Sequence, residues 1–301
     1  MRSRVMLFSL ITSAFAGGMG FTGSALAQAG STTPNVPQSA WYAGLGGSYN
    51  WINFGTQDVY AVGTSNFYSA DGTLQSSGSA AGPGTVNMSS ESTFARSAQW
   101  GYFQKFSGSN WLWGVKFAYN HLAATSTEMD VRIPQTGSFT NVQTGATTQF
   151  TGTAFARSFQ TNIEQQIALT PFIGSSYEKG FVYIGAGPTY SQTRTNVNGL
   201  VGFANISGNV IDVSGAPVDF ASSSWVWGGA ALVGATYFFT PSWFLDFSYA
   251  YARTNNHTRD FSSPFANLHG PEDSTITGTL AGSSSGKVIT QGLMLTINLA
   301  F

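Results

Sequence analysis

Trp111-Leu112-Trp113-Gly114-Val115-Lys116-Phe117-Ala118-Tyr119-Asn120-His121 decides the fold class. Successive side chains of a strand point to opposite faces. One face here carries Trp111, Trp113, Val115, Phe117 and Tyr119, all large and apolar. The other carries Leu112, Gly114, Lys116, Ala118 and Asn120, mostly small or polar. The pattern recurs. Trp243, Leu245, Phe247, Tyr249 and Tyr251 oppose Phe244, Asp246, Ser248, Ala250 and Ala252. Val182, Ile184, Ala186, Pro188 and Tyr190 share a face, as do Leu293, Leu295, Ile297, Leu299 and Phe301. None of these four large faces holds a charge. A Lys or Arg at a bilayer midplane costs about 2–4 kcal/mol. In a soluble sandwich such faces pack on a second sheet; in a membrane barrel they face lipid.

Composition favours the barrel. Only 8% of the 301 residues are charged and 15% are aromatic, against about 25% charged in ordinary soluble chains. Mean hydropathy is +0.01, the value expected when every second strand residue faces lipid and its neighbours do not. There are no cysteines, which excludes disulfides and thiolate metal sites, and the formal net charge of −1 gives no basic field for nucleic acid.

Eight strands follow from the alternation, at about 41–54, 93–106, 111–123, 158–176, 181–194, 223–239, 243–254 and 287–301. Short turns join some of them, at residues 107–110, 177–180 and 240–242. Long polar segments rich in Ser, Thr, Gly and Asn join the others, at residues 55–92, 124–157, 195–222 and 255–286. Three short turns alternating with four long loops predict an all-β fold. Its form is an eight-stranded antiparallel up-and-down transmembrane β-barrel, with short periplasmic turns and four flexible extracellular loops. Residues 196–220 retain some alternation, so that loop extends its hairpin or adds a strand pair, making ten. Pro171 and Pro188 sit inside expected strands, where each removes a ladder donor.

The ends carry addresses. Arg2 and Arg4, an apolar run from Val5 to Phe15, and Ala25-Leu26-Ala27 make residues 1–27 a cleavable secretory signal. Residues 28–40, with Pro34 and Pro37, read as a flexible periplasmic lead-in, and residues 41–301 as the barrel. At the other end Leu295, Ile297, Leu299 and Phe301 form an amphipathic last strand, able to be recognised by edge pairing with an assembly machinery.

The first strand, Trp41-Tyr42-Ala43-Gly44-Leu45-Gly46-Gly47-Ser48-Tyr49-Asn50-Trp51, resembles the opening strand of the opacity-type and OmpA-like outer-membrane barrels of Gram-negative bacteria, as found in alphaproteobacteria. Phe181-Val182-Tyr183-Ile184-Gly185-Ala186-Gly187 and the final Leu299-Ala300-Phe301 are similar to later strands of that family. The resemblance implies an outer-membrane fold and leaves function to the loops.

Candidate chemistry is sparse. Lys116, Glu164 and Asp246 fall on faces assigned to the lumen, where they form either an ion-pair network that fills it or a charged constriction that selects solutes. The three histidines, His121, His257 and His269, are too scattered for a metal site. His257-Thr258-Arg259-Asp260 lies in a loop and lacks the spacing of a membrane acyl hydrolase. Gly44, Gly46, Gly47, Gly185 and Gly187 lie in strands with no following helix, so no phosphate loop is read. The expected protein is therefore non-enzymatic, without cofactor or metal, and monomeric. Its expected partners are outer-membrane lipids and lipopolysaccharide, with a surface ligand at the loops; a porin-like channel for small solutes is the alternative.

Overall fold

A computed structural model describes residues 36–269 and 274–301. The expected secretory signal at 1–27 and the expected lead-in up to residue 35 lie outside the described residues. Thirteen strands run in chain order: β1 (Ser39–Asn53), β2 (Thr56–Tyr68), β3 (Leu74–Asn87), β4 (Ser90–Lys105), β5 (Trp111–Asn141), β6 (Thr147–Tyr177), β7 (Gly180–Ile206), β8 (Asn209–Asp212), β9 (Val218–Phe238), β10 (Trp243–Thr254), β11 (His257–His269), β12 (Ser274–Gly286) and β13 (Ile289–Ala300).

Eight of them close a ring. Antiparallel ladders join β1 to β4, β4 to β5, β5 to β6, β6 to β7, β7 to β9, β9 to β10, β10 to β13, and β13 back to β1. The last ladder runs from Tyr42 opposite Ala300 to Asn53 opposite Ile289. Trp41 and Phe301 exchange both backbone hydrogen bonds at its end, at 3.0 and 2.9 Å. The ring strands are the eight expected from the alternation. The lead-in ends sooner than expected, because β1 already begins at Ser39, and Lys105 Nζ donates to the Val36 carbonyl at 3.0 Å. At one turn Gly108 takes a left-handed φ of 70°, which lets Ser109 N donate back to Phe106 O.

The outer wall of the ring is an oily belt. Leu45, Phe94, Ile184, Phe247 and Leu295 are all exposed, Leu45 by 70%. Aromatic rings mark both edges of the belt. Near the turns, Trp41 stacks on Trp100 at 5.3 Å and Tyr102 meets Trp113 at 5.8 Å. Toward the other end, Tyr190 stacks on Trp225 at 4.9 Å and lies 4.6 Å from Trp227. The two prolines occupy a single gap. The β6–β7 ladder is paired at Ala168–Thr189 and Phe172–Gly185 in one register and unpaired between them, where Pro171 and Pro188 both point outward. Two residues lacking N–H thus share one interruption instead of making two.

The long segments are not irregular coil. They continue as a second storey of strands. β5 and β6 are 31 residues each, whereas about 9–11 residues cross a bilayer. The β2–β3 and β11–β12 hairpins fill in between, giving the order β11-β12-β2-β3-β5-β6-β7-β9. Residues 196–220 supply the end of β7, the short β8 and the start of β9, so the ring keeps eight strands. Only the β9–β11 neighbours lack a ladder among the described residues. That seam is held by Phe220 on Phe261 at 4.8 Å and by Asn267 Nδ2 donating to Ser214 O at 2.6 Å.

Polarity inverts between the storeys. In the second storey the apolar side chains turn inward (Val59, Val131, Ile133, Ala154, Ile276 and Leu280 form one buried cluster) and Ser, Thr and Gln face out. A wall in lipid and a wall in water need opposite patterns, and the strands that run through both storeys, β5, β6, β7 and β9, carry both.

Where β1 meets β13, a Cβ added at Gly46 would lie 2.0 Å from the Leu295 carbonyl oxygen. Gly46→Ala should therefore force the closing ladder apart and destabilise the barrel by about 1–3 kcal/mol. Urea titration of the refolded barrel, followed by its heat-sensitive shift on gels, measures this; an unchanged midpoint would show that the ring tolerates the added methyl group.

Candidate functional site

The bore of the ring is filled in layers. At the turn end Phe103, Phe181, Phe238 and Phe244 are fully buried. Phe103 lies 5.1 Å from Phe181, and Phe238 stacks on Phe244 at 4.6 Å. These positions face inward because they alternate with the belt residues on β4, β7, β9 and β10.

Above them sits an ionic layer. Lys116 on β5 and Asp246 on β10 belong to strands on opposite sides of the ring, and they meet at 2.7 Å across it. Lys116 is 1% exposed. Its ammonium also donates to Tyr183 Oη at 3.0 Å and to Ser248 Oγ at 3.4 Å. The Asp246 carboxylate accepts from Tyr183 Oη at 2.7 Å and from Gln99 Nε2 at 2.9 Å. Gln99 Nε2 also donates to Asn298 Oδ1 at 2.6 Å. Charge is thus buried with a partner and with hydrogen bonds on both ions, the condition under which burial is tolerated. Gln166, Ser191 and Thr290 form a further polar layer, with Gln166 Nε2 donating to both hydroxyls at 3.2 Å. Higher still, Ile52, Phe54, Leu122, Phe159 and Ile163 close the bore with apolar packing.

Of the three expected lumen charges, Lys116 and Asp246 come together and Glu164 does not join them. The β6–β7 register shifts at Glu164, which leaves its side chain partly exposed while Ile163 and Gln166 take the inward places. The alternation that assigned Glu164 to the lumen is broken by that bulge. A third buried ion was missed. Arg259 on β11 lies inside the second storey and donates from Nη2 to Thr193 Oγ1 on β7, while its Nε has no partner. Its segment reads as polar loop in the sequence; only alternation about Arg259, with His257 and Phe261 on the same face, marks it as inward.

No catalytic constellation forms among the described residues. His257 and Asp260 stand on opposite faces of β11. Burial, with Arg259 nearby, holds the His257 imidazole below its ordinary pKa. His121 lies on β5, far along the chain from β11, and no group of three His, Asp or Glu residues suited to a metal ion occurs among the described residues. Leu295, Ile297, Leu299 and Phe301 stand exposed on the outer wall, along the strand that closes the ring.

Lys116→Met alone should cost about 3–5 kcal/mol, because it strands Asp246 in the bore. Lys116→Met combined with Asp246→Leu should recover more than half of that loss. Urea unfolding midpoints of both variants in lipid vesicles check this; a single variant as stable as the parent would mean that the pair carries no structural role.

No family model matches the chain, and no curated protein matches it. Among solved structures it is similar to Ail, the attachment invasion locus protein of Yersinia pestis, over 80% of this chain and 98% of that one, at 12% identity and a TM-score of 0.23. It is similar to Neisserial surface protein A over 76% and 95% of the two chains, at 12% identity and a TM-score of 0.24. The outer membrane protease OmpT from Escherichia coli is similar over 87% and 97%, at 12% identity and a TM-score of 0.29. At these scores the likeness adds nothing to what the closed ring of strands establishes by itself.

Proposed function

We propose that this chain is a closed-bore outer-membrane barrel of a Gram-negative bacterium, without catalytic activity, which acts at the cell surface through its rigid second storey. The inversion of polarity between the two storeys carries this reading: an oily belt edged with aromatic rings suits a bilayer, and the walls beyond it suit water. Three short turns at one end and four long hairpins at the other give the orientation, with the second storey outside the cell. The opacity-type and OmpA-like resemblance belongs to the same reading.

Arg96, Arg194 and Arg253 point outward near the loop-side edge of the belt, a placement suited to the phosphates of lipopolysaccharide. The last strand serves as the assembly address. A barrel without free ring edges is stable as a monomer.

The channel alternative requires a water path. The phenylalanine layer, the Lys116–Asp246 layer and the upper apolar packing stand in series against one, and an eight-stranded bore is only wide enough for its own side chains. An envelope or surface-contact role needs no path through the wall.

An epitope inserted at Gly145, in the exposed β5–β6 turn, should be labelled by antibody on intact cells, and one at Gly108 only after the outer membrane is opened. Reversed labelling would overturn the orientation. In planar bilayers the refolded protein should give no stable conductance steps; regular steps that change with Asp246→Ala would instead establish the channel.

A further inference from the structure

The second storey is hollow near its far end. A cavity of about 340 Å3 lies between the β2–β3 hairpin, β5, β6, β7, β12 and the segment around β8. Phe67, Phe139, Phe150, Phe203 and Phe265 line it, with Leu280 among the buried residues at its wall. Protein interiors seldom keep voids larger than a water molecule, and the rest of this storey is packed with Val59, Ile133, Ala156 and their neighbours.

Two glycines leave the space open. A Cβ added at Gly63 would meet only the Leu280 side chain, at 3.7 Å, and one at Gly202 would meet Ser214 and Val213 at 3.8 Å. Both are ordinary contacts, so backbone crowding does not require glycine at either place. The contrast is with Gly82 and Gly137 nearby, where a Cβ would come within 2.0 and 2.1 Å of a carbonyl oxygen. Gly63 and Gly202 therefore provide volume.

The two strongest polar groups of the lining, Gln135 and Asp212, are already engaged. Gln135 Nε2 donates to Ala61 O at 3.0 Å. The Asp212 carboxylate accepts from Ser214 N at 2.9 Å and Gly215 N at 2.7 Å. No Lys, Arg or His lines the cavity. Nothing there would neutralise an anion, and Asp212 would repel one. An apolar cavity of about 150 Å3 takes benzene, so this one has room for roughly twice that bulk.

We infer that the cavity binds one neutral, apolar molecule of about ten carbons, with fused aromatic rings the best match to five phenylalanines. This goes beyond the surface role proposed above and does not depend on it.

Equilibrium dialysis of radiolabelled naphthalene tests the inference, using the mature full-length barrel refolded in a zwitterionic detergent present on both sides of the membrane. Saturable uptake approaching one molecule per chain is expected. Gly63→Leu should weaken it tenfold or more while keeping the heat-sensitive gel shift of a folded barrel. If Gly63→Leu does not fold, Gly202→Leu carries the same expectation. A hundredfold excess of 1-naphthoate should leave the bound naphthalene in place. Uptake that fails to saturate, or that is equal in the folded filled variant, would place naphthalene in detergent or on the oily outer wall and overturn the site. Displacement by naphthoate would overturn the preference for neutral molecules.

Discussion

A strand surrounded by hydrocarbon has no water to receive its N–H and C=O groups, so a sheet there is stable only when it meets itself. The β1–β13 ladder is where this chain satisfies that requirement. Its consequences reach far along the sequence. Closing eight strands gives a bore just wide enough for side chains, which is why Gly44 and Gly46 face inward against Asn298 and the Leu295 carbonyl. It also explains why the backbone of Phe301 is committed to Trp41: the last residue completes the ring that every other ladder presupposes.

The ring also has to end somewhere, and here it ends by changing solvent. In β5 the inward set runs Leu112, Lys116, Leu122, Ala124 and Ser126, then moves to Val131, Ile133 and Gln135. The change of phase falls at residues 128–130, with Asp130 at a left-handed φ of 55°. β6 answers with Ser158 and Phe159 buried in succession, and shifts again at Glu164. Bulges of this kind re-aim a strand without ending it. They let one continuous ribbon be oily outside within the belt and oily inside beyond it.

Those phase changes also set what the sequence could disclose. The eight ring strands were legible because large apolar faces persist unbroken, as from Trp243 to Tyr251, and because the turns between them are short. The depth of Lys116 and Asp246 was legible for the same reason, since both lie in uninterrupted alternation close to a turn. Beyond the belt the outward face is Ser, Thr, Gly and Asn, the composition of loops, and the inward face is often only Ala or Gly, as at Ala61, Gly63, Ala154 and Ala156. Weak contrast on both faces, cut by bulges, reads as coil. Glu164 was misassigned because a period of two was carried across one such bulge, and Arg259 was missed because its storey was not foreseen.

The belt cannot by itself fix the register of the strands. Neighbouring outward positions are nearly all apolar, and lipid distinguishes poorly among Leu, Val and Phe. A slip of two residues in β5, however, keeps the same faces in lipid but would carry Lys116 about 6–7 Å along the strand away from Asp246 and leave each charge unpaired in the bore. The ion pair spans the ring between β5 and β10, with β7 engaged through Tyr183, β4 through Gln99 and, through Gln99, β13 at Asn298. Its contribution is then less to net stability, where an apolar pair of equal size could serve, than to choosing one alignment of strands whose outer surfaces are nearly interchangeable.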